Sequence, residues 1–151
     1  MVAVGESEIV FDAKGLILGR LASVVAKRLL SGDKVHVVNA EKTVVSGERS
    51  SLVRAWKGFL EVKSMANPKY GPFHSRRPDT VLRDAVRGML PTDKAKGRSS
   101  LRRLRVYVGI PDSLKEAPME TIPKASSSRL RGRYVMLGDL AVEIGWKRQG
   151  D

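Results

Sequence analysis

Apolar residues recur along this chain in two rhythms. Leu18, Leu21, Ala22, Val25 and Leu29 repeat at the spacing of one helix face, close to 3.6 residues per turn. Val24, Ala26 and Leu30 widen that face, so the helix should lie deep against other elements. Gly32 stops it. On either side the rhythm changes. Ile9-Val10-Phe11 and Val35-His36-Val37-Val38 are short continuous runs, and the second reads as a strand covered on both faces. Asp12-Ala13-Lys14-Gly15 supplies the turn between the first run and the helix. Strand, helix and strand in succession make a βαβ unit. That unit implies parallel strands and a right-handed crossover.

The pattern continues with a short strand at Thr43-Val44-Val45. Ser46 then caps a second helix, whose core face is Leu52, Trp56, Phe59 and Leu60. Its polar face shows Arg49, Arg54, Lys57 and Glu61. Residues 64–78 hold three prolines and Gly71, which forbid regular structure. A third helix starts at Asp79, with Val81, Leu82, Ala85, Val86 and Met89 inward and Arg83 and Arg87 on its other side; Pro91 ends it. A short helix spans Gly97 to Arg103, and Val106-Tyr107-Val108 reads as another strand. Residues 109–133 form an extended Pro/Ser/Arg-rich surface segment, with little apolar residue to anchor it. Leu137, Leu140, Ala141 and Ile144 mark a last short helix, stopped by Gly145, with Trp146 placed to fold back on it. No repeat or second domain is visible, so residues 1–151 are read as one domain.

Charge changes the picture. Of the 151 residues, 28 are Lys or Arg and 16 are Asp or Glu, a net +12. Residues 1–53 carry seven basic and six acidic side chains, whereas residues 54–133 carry 19 and seven. The excess is densest between Lys63 and Arg105, with 12 basic and three acidic side chains. A run this long and one-signed attracts phosphate far beyond what solubility needs. A membrane surface would instead want a basic amphipathic helix with a free apolar face, and none is evident. No apolar run approaches the roughly 20 residues of a membrane span. The N-terminal residues lack the basic start of a secretory signal. The expectation is a soluble cytoplasmic protein with a polyanionic partner.

Catalytic chemistry finds little support. There is no Cys, which removes thiolate catalysis and every Cys-ligated metal site. The two histidines, His36 and His74, leave little for zinc. Gly15-Leu16-Ile17-Leu18-Gly19-Arg20 joins strand to helix where a phosphate loop would sit. Its glycine spacing fits neither nucleotide motif, and a tight turn is the simpler reading, although Arg20 could still meet an RNA phosphate. His36 reads as a satisfied core histidine. Asp79 reads as a helix cap and Asp84 as a partner for Arg83 and Arg87. No acid–base pair with named partners can be assembled, so neither cofactor nor small-molecule substrate is expected.

The positive signal is a loop that sets rings among cations: Lys69, Tyr70, Phe73, His74, Arg76 and Arg77. Rings stack on unpaired bases while Arg and Lys hold phosphates. Phe73 could equally pin the loop to the core. Arg98, Arg102 and Arg105 fall at i, i+4 and i+7, a one-sided helical stripe that repels itself unless a polyanion neutralises it. Lys57, Lys63, Arg87, Lys94, Lys96, Arg103, Arg129 and Arg131, from the same basic half, complete the candidate RNA-binding set.

Three blocks carry a resemblance to a known family. The first is Asp12 to Ser23, continuing to Ala26-Lys27. The second is Val37-Val38-Asn39-Ala40-Glu41-Lys42, leading to Ser46-Gly47. The third is Gly71-Pro72-Phe73-His74, then Val86-Arg87-Gly88-Met89-Leu90-Pro91, Gly97-Arg98 and Leu104-Arg105-Val106-Tyr107. With this spacing the chain resembles the large-subunit ribosomal protein thirteen family, from about Ile9 to Trp146. The short Gly32-to-Val35 connection and the Leu137-Gly138-Asp139 to Ile144-Gly145-Trp146 ending resemble its archaeal and eukaryotic branch. The resemblance implies a three-layer α/β/α domain with a small, mostly parallel sheet and basic RNA-binding loops. It implies a non-catalytic partner of large-subunit rRNA and neighbouring large-subunit proteins that supports subunit assembly. Its rRNA-facing segments map onto residues 69–77 and Arg87 to Arg105. A free-standing RNA-binding module and a nucleotide-acting enzyme are the competing readings. Co-sedimentation with the large subunit separates the first competitor, and a metal or nucleotide bound in the sheet crevice would favour the second.

Overall fold

A computed structural model describes residues 7–148; the N-terminal residues 1–6, read above as lacking a signal sequence, lie outside them. The first two apolar runs form β1 (Glu8–Asp12) and β2 (Lys34–Val38), parallel and in register from Glu8–Lys34 to Asp12–Val38. Between them runs α1 (Leu18–Leu30), and its stripe Leu21, Ala22, Val25, Ala26 and Leu29 is buried as the spacing predicts. Alternation along the strands sends Ile9, Phe11, Val35 and Val37 into one core with this helix. The helix ends at Ser31 and at Gly32, whose φ of 101° suits glycine.

Two further strands complete the sheet. β4 (Leu104–Val106) pairs with β2, and β5 (Met119–Glu120) pairs with β1, all parallel, in the order β4-β2-β1-β5. The antiparallel pair β3 (Val44–Ser46) and β6 (Tyr134–Met136) lies apart from it. The helices after α1 are α2 (Arg49–Glu61), α3 (Pro78–Met89), α4 (Ala95–Arg102) and α5 (Leu137–Glu143). The result is the three-layer α/β/α class with a small, mostly parallel sheet. α3 packs on α1 through Leu82 and Val86, both fully buried. α5 buries Leu137, Leu140 and Ala141 and rests on a 3-10 turn at Ala40–Lys42. Gly138 permits that approach, because a Cβ there would stand 2.9 Å from the Glu41 carbonyl oxygen. The chain then turns back, and the Trp146 amide donates to the Ala141 carbonyl at 2.9 Å.

Several expectations need correction. No residue of α2 is buried, although Leu52, Trp56, Phe59 and Leu60 were expected to form a core face. Phe59 is 59% exposed. An amphipathic pattern says which side of a helix turns inward, not whether enough structure waits there. α2 meets α5 and little else. The residue preceding α2 is Glu48 rather than Ser46, and it makes no side-chain cap. Met89 is exposed at the end of α3. The last strand of the core pattern is Leu104–Val106, two residues earlier than expected, because pairing with β2 places fully buried Leu104 beside Val35. Arg105 interrupts the apolar run and hid it.

His36 is largely buried, its side chain 15% exposed, and it is satisfied by polar partners as expected. Its Nε2 lies 2.6 Å from Glu8 Oε1, and its ring stacks on Tyr107. The segment 109–133 is better anchored than its composition suggests. Ile122 and Ala125 are buried, the Ala125 carbonyl accepts from the Ile17 amide at 2.7 Å, and the Ser127 amide donates to Gly15 at 2.9 Å.

Candidate nucleic-acid interface

The fold sorts the basic residues into three groups. The first lies at the start of α1. Arg20 is exposed in the first turn, and the backbone bonds from Ile17 to Ala125 and from Ser127 to Gly15 bring the 125–131 segment alongside. Arg129 and Arg131 are exposed there. Lys14, exposed in the turn before the helix, joins them. Charge density along the chain gave no signal for Lys14, since its half of the sequence is nearly balanced. Only the fold sets residue 14 beside residue 127.

The second group surrounds α4, at the far end of α1, roughly 20 Å away at 1.5 Å per helical residue. Lys94, Lys96, Arg98 and Arg102 are exposed on or beside α4. Arg105 is exposed too, but it sits in β4 opposite His36, so the expected helical stripe of three is two helical arginines and one on a strand. The geometry changes because α4 stops at Arg102, where Leu104 must turn into the sheet.

Arg103 differs from its neighbours. Its guanidinium turns inward and donates to the Leu29 carbonyl at 2.5 Å and to the Ser100 hydroxyl at 3.2 Å. It adds a charged second donor to a last-turn carbonyl of α1 that the Gly32 amide already meets at 3.1 Å, and so clamps the end of α4 to α1. Arg103→Gln should therefore cost stability, about 1.5–3 kcal/mol for a charged hydrogen bond lost at a half-buried site. The same change should leave the salt dependence of RNA binding as it was. A thermal melt paired with a salt titration checks both halves.

The third group is the lobe made by α2 and the loop after it. Lys57 and Lys63 are exposed, as are Lys69 and Tyr70 in the 3-10 turn Pro68–Tyr70. Tyr70 is 80% and Phe73 is 97% exposed, so Phe73 does not pin the loop. His74 pins it instead. Its Nε2 lies 2.6 Å from the Val62 carbonyl, and its ring meets Phe59 edge-on. The Asn67 side chain accepts from the Lys69 amide, which shapes the turn. Arg76 is exposed and lies over Gly145, whose missing side chain leaves it room. Arg77 pairs with Asp79 at 3.2 Å, and Arg87 with Asp84 at 3.7 Å.

The loop and the α4 group, close in sequence, are not one patch. α3 separates them, with Arg77 before its first turn and α4 after its last, roughly 18 Å for 12 residues. Lys57, Lys63, Lys69, Lys94, Lys96, Arg98, Arg102 and Arg105 have no ion-pair partner among the described residues, whereas Arg28, Arg49, Arg133 and Arg148 are each matched to an acid. Open cations cluster around α4 and on the α2 lobe, and Lys14, Arg20, Arg129 and Arg131 near the start of α1 are likewise exposed and without ion pairs among the described residues. Cations spaced across one molecule in this way match phosphates rather than a single anion.

Among the described residues, no group of three or more His, Asp or Glu could hold a metal ion, and no helix is long and apolar enough to cross a membrane.

Known proteins resemble this chain over most of its length. The model of the family described as ribosomal protein L13 matches residues 6–113. A protein of Aeropyrum pernix named large ribosomal subunit protein uL13 is 50% identical over 97% of this chain and 96% of its own. Proteins of the same name from Methanosarcina barkeri and Saccharolobus solfataricus are 45% and 38% identical. They cover 91% and 95% of this chain, and 98% and 96% of their own.

Proposed function

Because the chain belongs to the ribosomal protein L13 family, we propose that it is a structural constituent of the large ribosomal subunit that holds folded rRNA and supports subunit assembly. The observation that carries this reading to particular residues is the set of exposed cations without acidic partners around α4 and on the α2 lobe. Phosphate contacts of this kind fix orientation and register without reading sequence. Arg98, Arg102, Arg105, Lys94 and Lys96 form one phosphate-binding face. Lys57, Lys63, Lys69 and Arg76 form a second, and Arg20, Arg129 and Arg131 a third. Faces about 20 Å apart on a rigid domain bridge separate stretches of RNA, and that bridging is how a small protein stabilises a folded RNA junction. Arg103 and His74 act indirectly, by fixing α4 and the loop.

The role is non-catalytic and cytoplasmic, with large-subunit rRNA and neighbouring large-subunit proteins as partners and no small-molecule substrate or cofactor. Both ring nitrogens of His36 are occupied within the fold, by Glu8 and by the Tyr107 hydroxyl at 3.4 Å. Sedimentation of a cell extract through a sucrose gradient tests the assignment. The protein should travel with the large subunit and stay there after a moderate salt wash. Recovery only in the soluble fractions would remove the reading.

A further inference from the structure

A cleft of about 320 Å³ opens between α2 and α3. Trp56 and Phe59 line it from α2, Asp84 and Arg87 from α3, and Phe73 stands at its edge. Phe73 is almost wholly exposed. It is held out by its neighbour, because His74 turns inward to the Val62 carbonyl and to Phe59. Gly71 fixes the approach, since a Cβ there would lie 3.1 Å from the Ser64 amide and 3.2 Å from the Pro68 carbonyl. The loop is therefore shaped to present a bare aromatic ring beside an aromatic cleft. Leaving such a ring in water forgoes the burial that ordinarily stabilises an aromatic side chain.

Charge decides what the cleft takes. Residues 54–77 carry six basic side chains and one acidic; Arg87 lines the cleft, and Lys57, Lys63 and Lys69, exposed on the same lobe, have no ion-pair partner among the described residues. An apolar slot with aromatic walls on a cationic lobe suits a base on a phosphate backbone: stacking takes the ring, and the cations of the lobe take the charge. We infer that this cleft receives one unpaired base of the rRNA, stacked on Phe73. Arg87, which lines the cleft beside its ion-pair partner Asp84, keeps exposed guanidinium donors for the edge of the base. This rests on the rRNA-binding reading above and adds the chemical class of the ligand.

The test uses large subunits assembled with Phe73→p-benzoylphenylalanine and irradiated. The expected product is an adduct to rRNA, at a nucleotide in an unpaired segment. An adduct to another ribosomal protein, or none from subunits that contain the variant, would overturn the inference. If the variant fails to enter subunits, Phe73→Ala decides. Its affinity for large-subunit rRNA should fall about five- to 150-fold, the range for one lost base stack, with the salt slope and melting temperature unchanged. Unchanged affinity would overturn the inference. Failure of the unmodified protein to bind rRNA at all would instead sink the underlying reading, so the two failures are distinguishable.

Discussion

Gly97→Ala should lower the melting temperature by about 6–12 °C, the shift expected for about 3 kcal/mol in a chain of this size. Helix propensity alone predicts the opposite, since Gly to Ala within a helix gains about 1 kcal/mol. The local packing reverses the sign. Gly97 is buried in α4, and a Cβ there would land on the Pro91 carbonyl and 2.9 Å from the Thr92 amide. These are backbone atoms in a turn fixed by proline, so no side chain can swing aside. Either α4 lifts from α1 and β4 or the Pro91 turn opens. Gly58→Ala is the matched control. That glycine is exposed in α2 with nothing within 4 Å of its added Cβ, so the change should raise stability by about 0.5–1 kcal/mol. A melt in which Gly97→Ala is neutral or stabilising would show that the close approach of α4 to the turn is absent.

Replacing Arg98, Arg102 and Arg105 together with Gln should flatten the salt dependence of rRNA binding by roughly two units of slope, if two or more meet phosphates. Between 50 and 200 mM salt, two units correspond to about a fifteenfold difference in how far affinity falls. The fold should survive, because all three side chains are exposed and none is in an ion pair among the described residues. Exposed substitutions of this kind usually stay within about 0.5 kcal/mol. Binding at several salt concentrations, with a melt as control, gives both readouts. An unchanged slope with an unchanged melt would show that α4 and β4 face solvent or a protein neighbour. The separation of the faces adds a further expectation. With α3 between them, the α4 group and the α2 lobe should contribute independently, so their changes in slope should add.

The fold was legible where burial and periodicity agree. Around α1, five core positions repeat at helical spacing and the flanking strands are continuous, so pattern and packing point one way. They part company at α2, whose amphipathic face meets too little structure to be buried, and at β4, where a strand interrupted by Arg105 takes its position from β2. The candidate interface was suggested by charge density between Lys63 and Arg105. Its layout was not. Local sequence could not separate Arg103, which reaches 74 residues back to Leu29, from the arginines beside it. Nor could it bring Lys14 beside Ser127, since that neighbourhood depends on the path of the whole 109–133 segment. For Phe73 and His74 the sequence left both the stacking and the anchoring roles open. The carbonyl of Val62 separates them by holding His74 inward.

The central claim is that exposed cations left without acidic partners hold rRNA phosphates, and the affinity of the unaltered protein for large-subunit rRNA across a salt series tests it most directly. If six of the eight exposed, unpaired cations around α4 and on the α2 lobe meet phosphates, log affinity should fall against log salt with a slope of about −4 to −5 from these faces alone. A slope no steeper than about −1 would contradict the account, because so few phosphates could not engage the faces the fold presents.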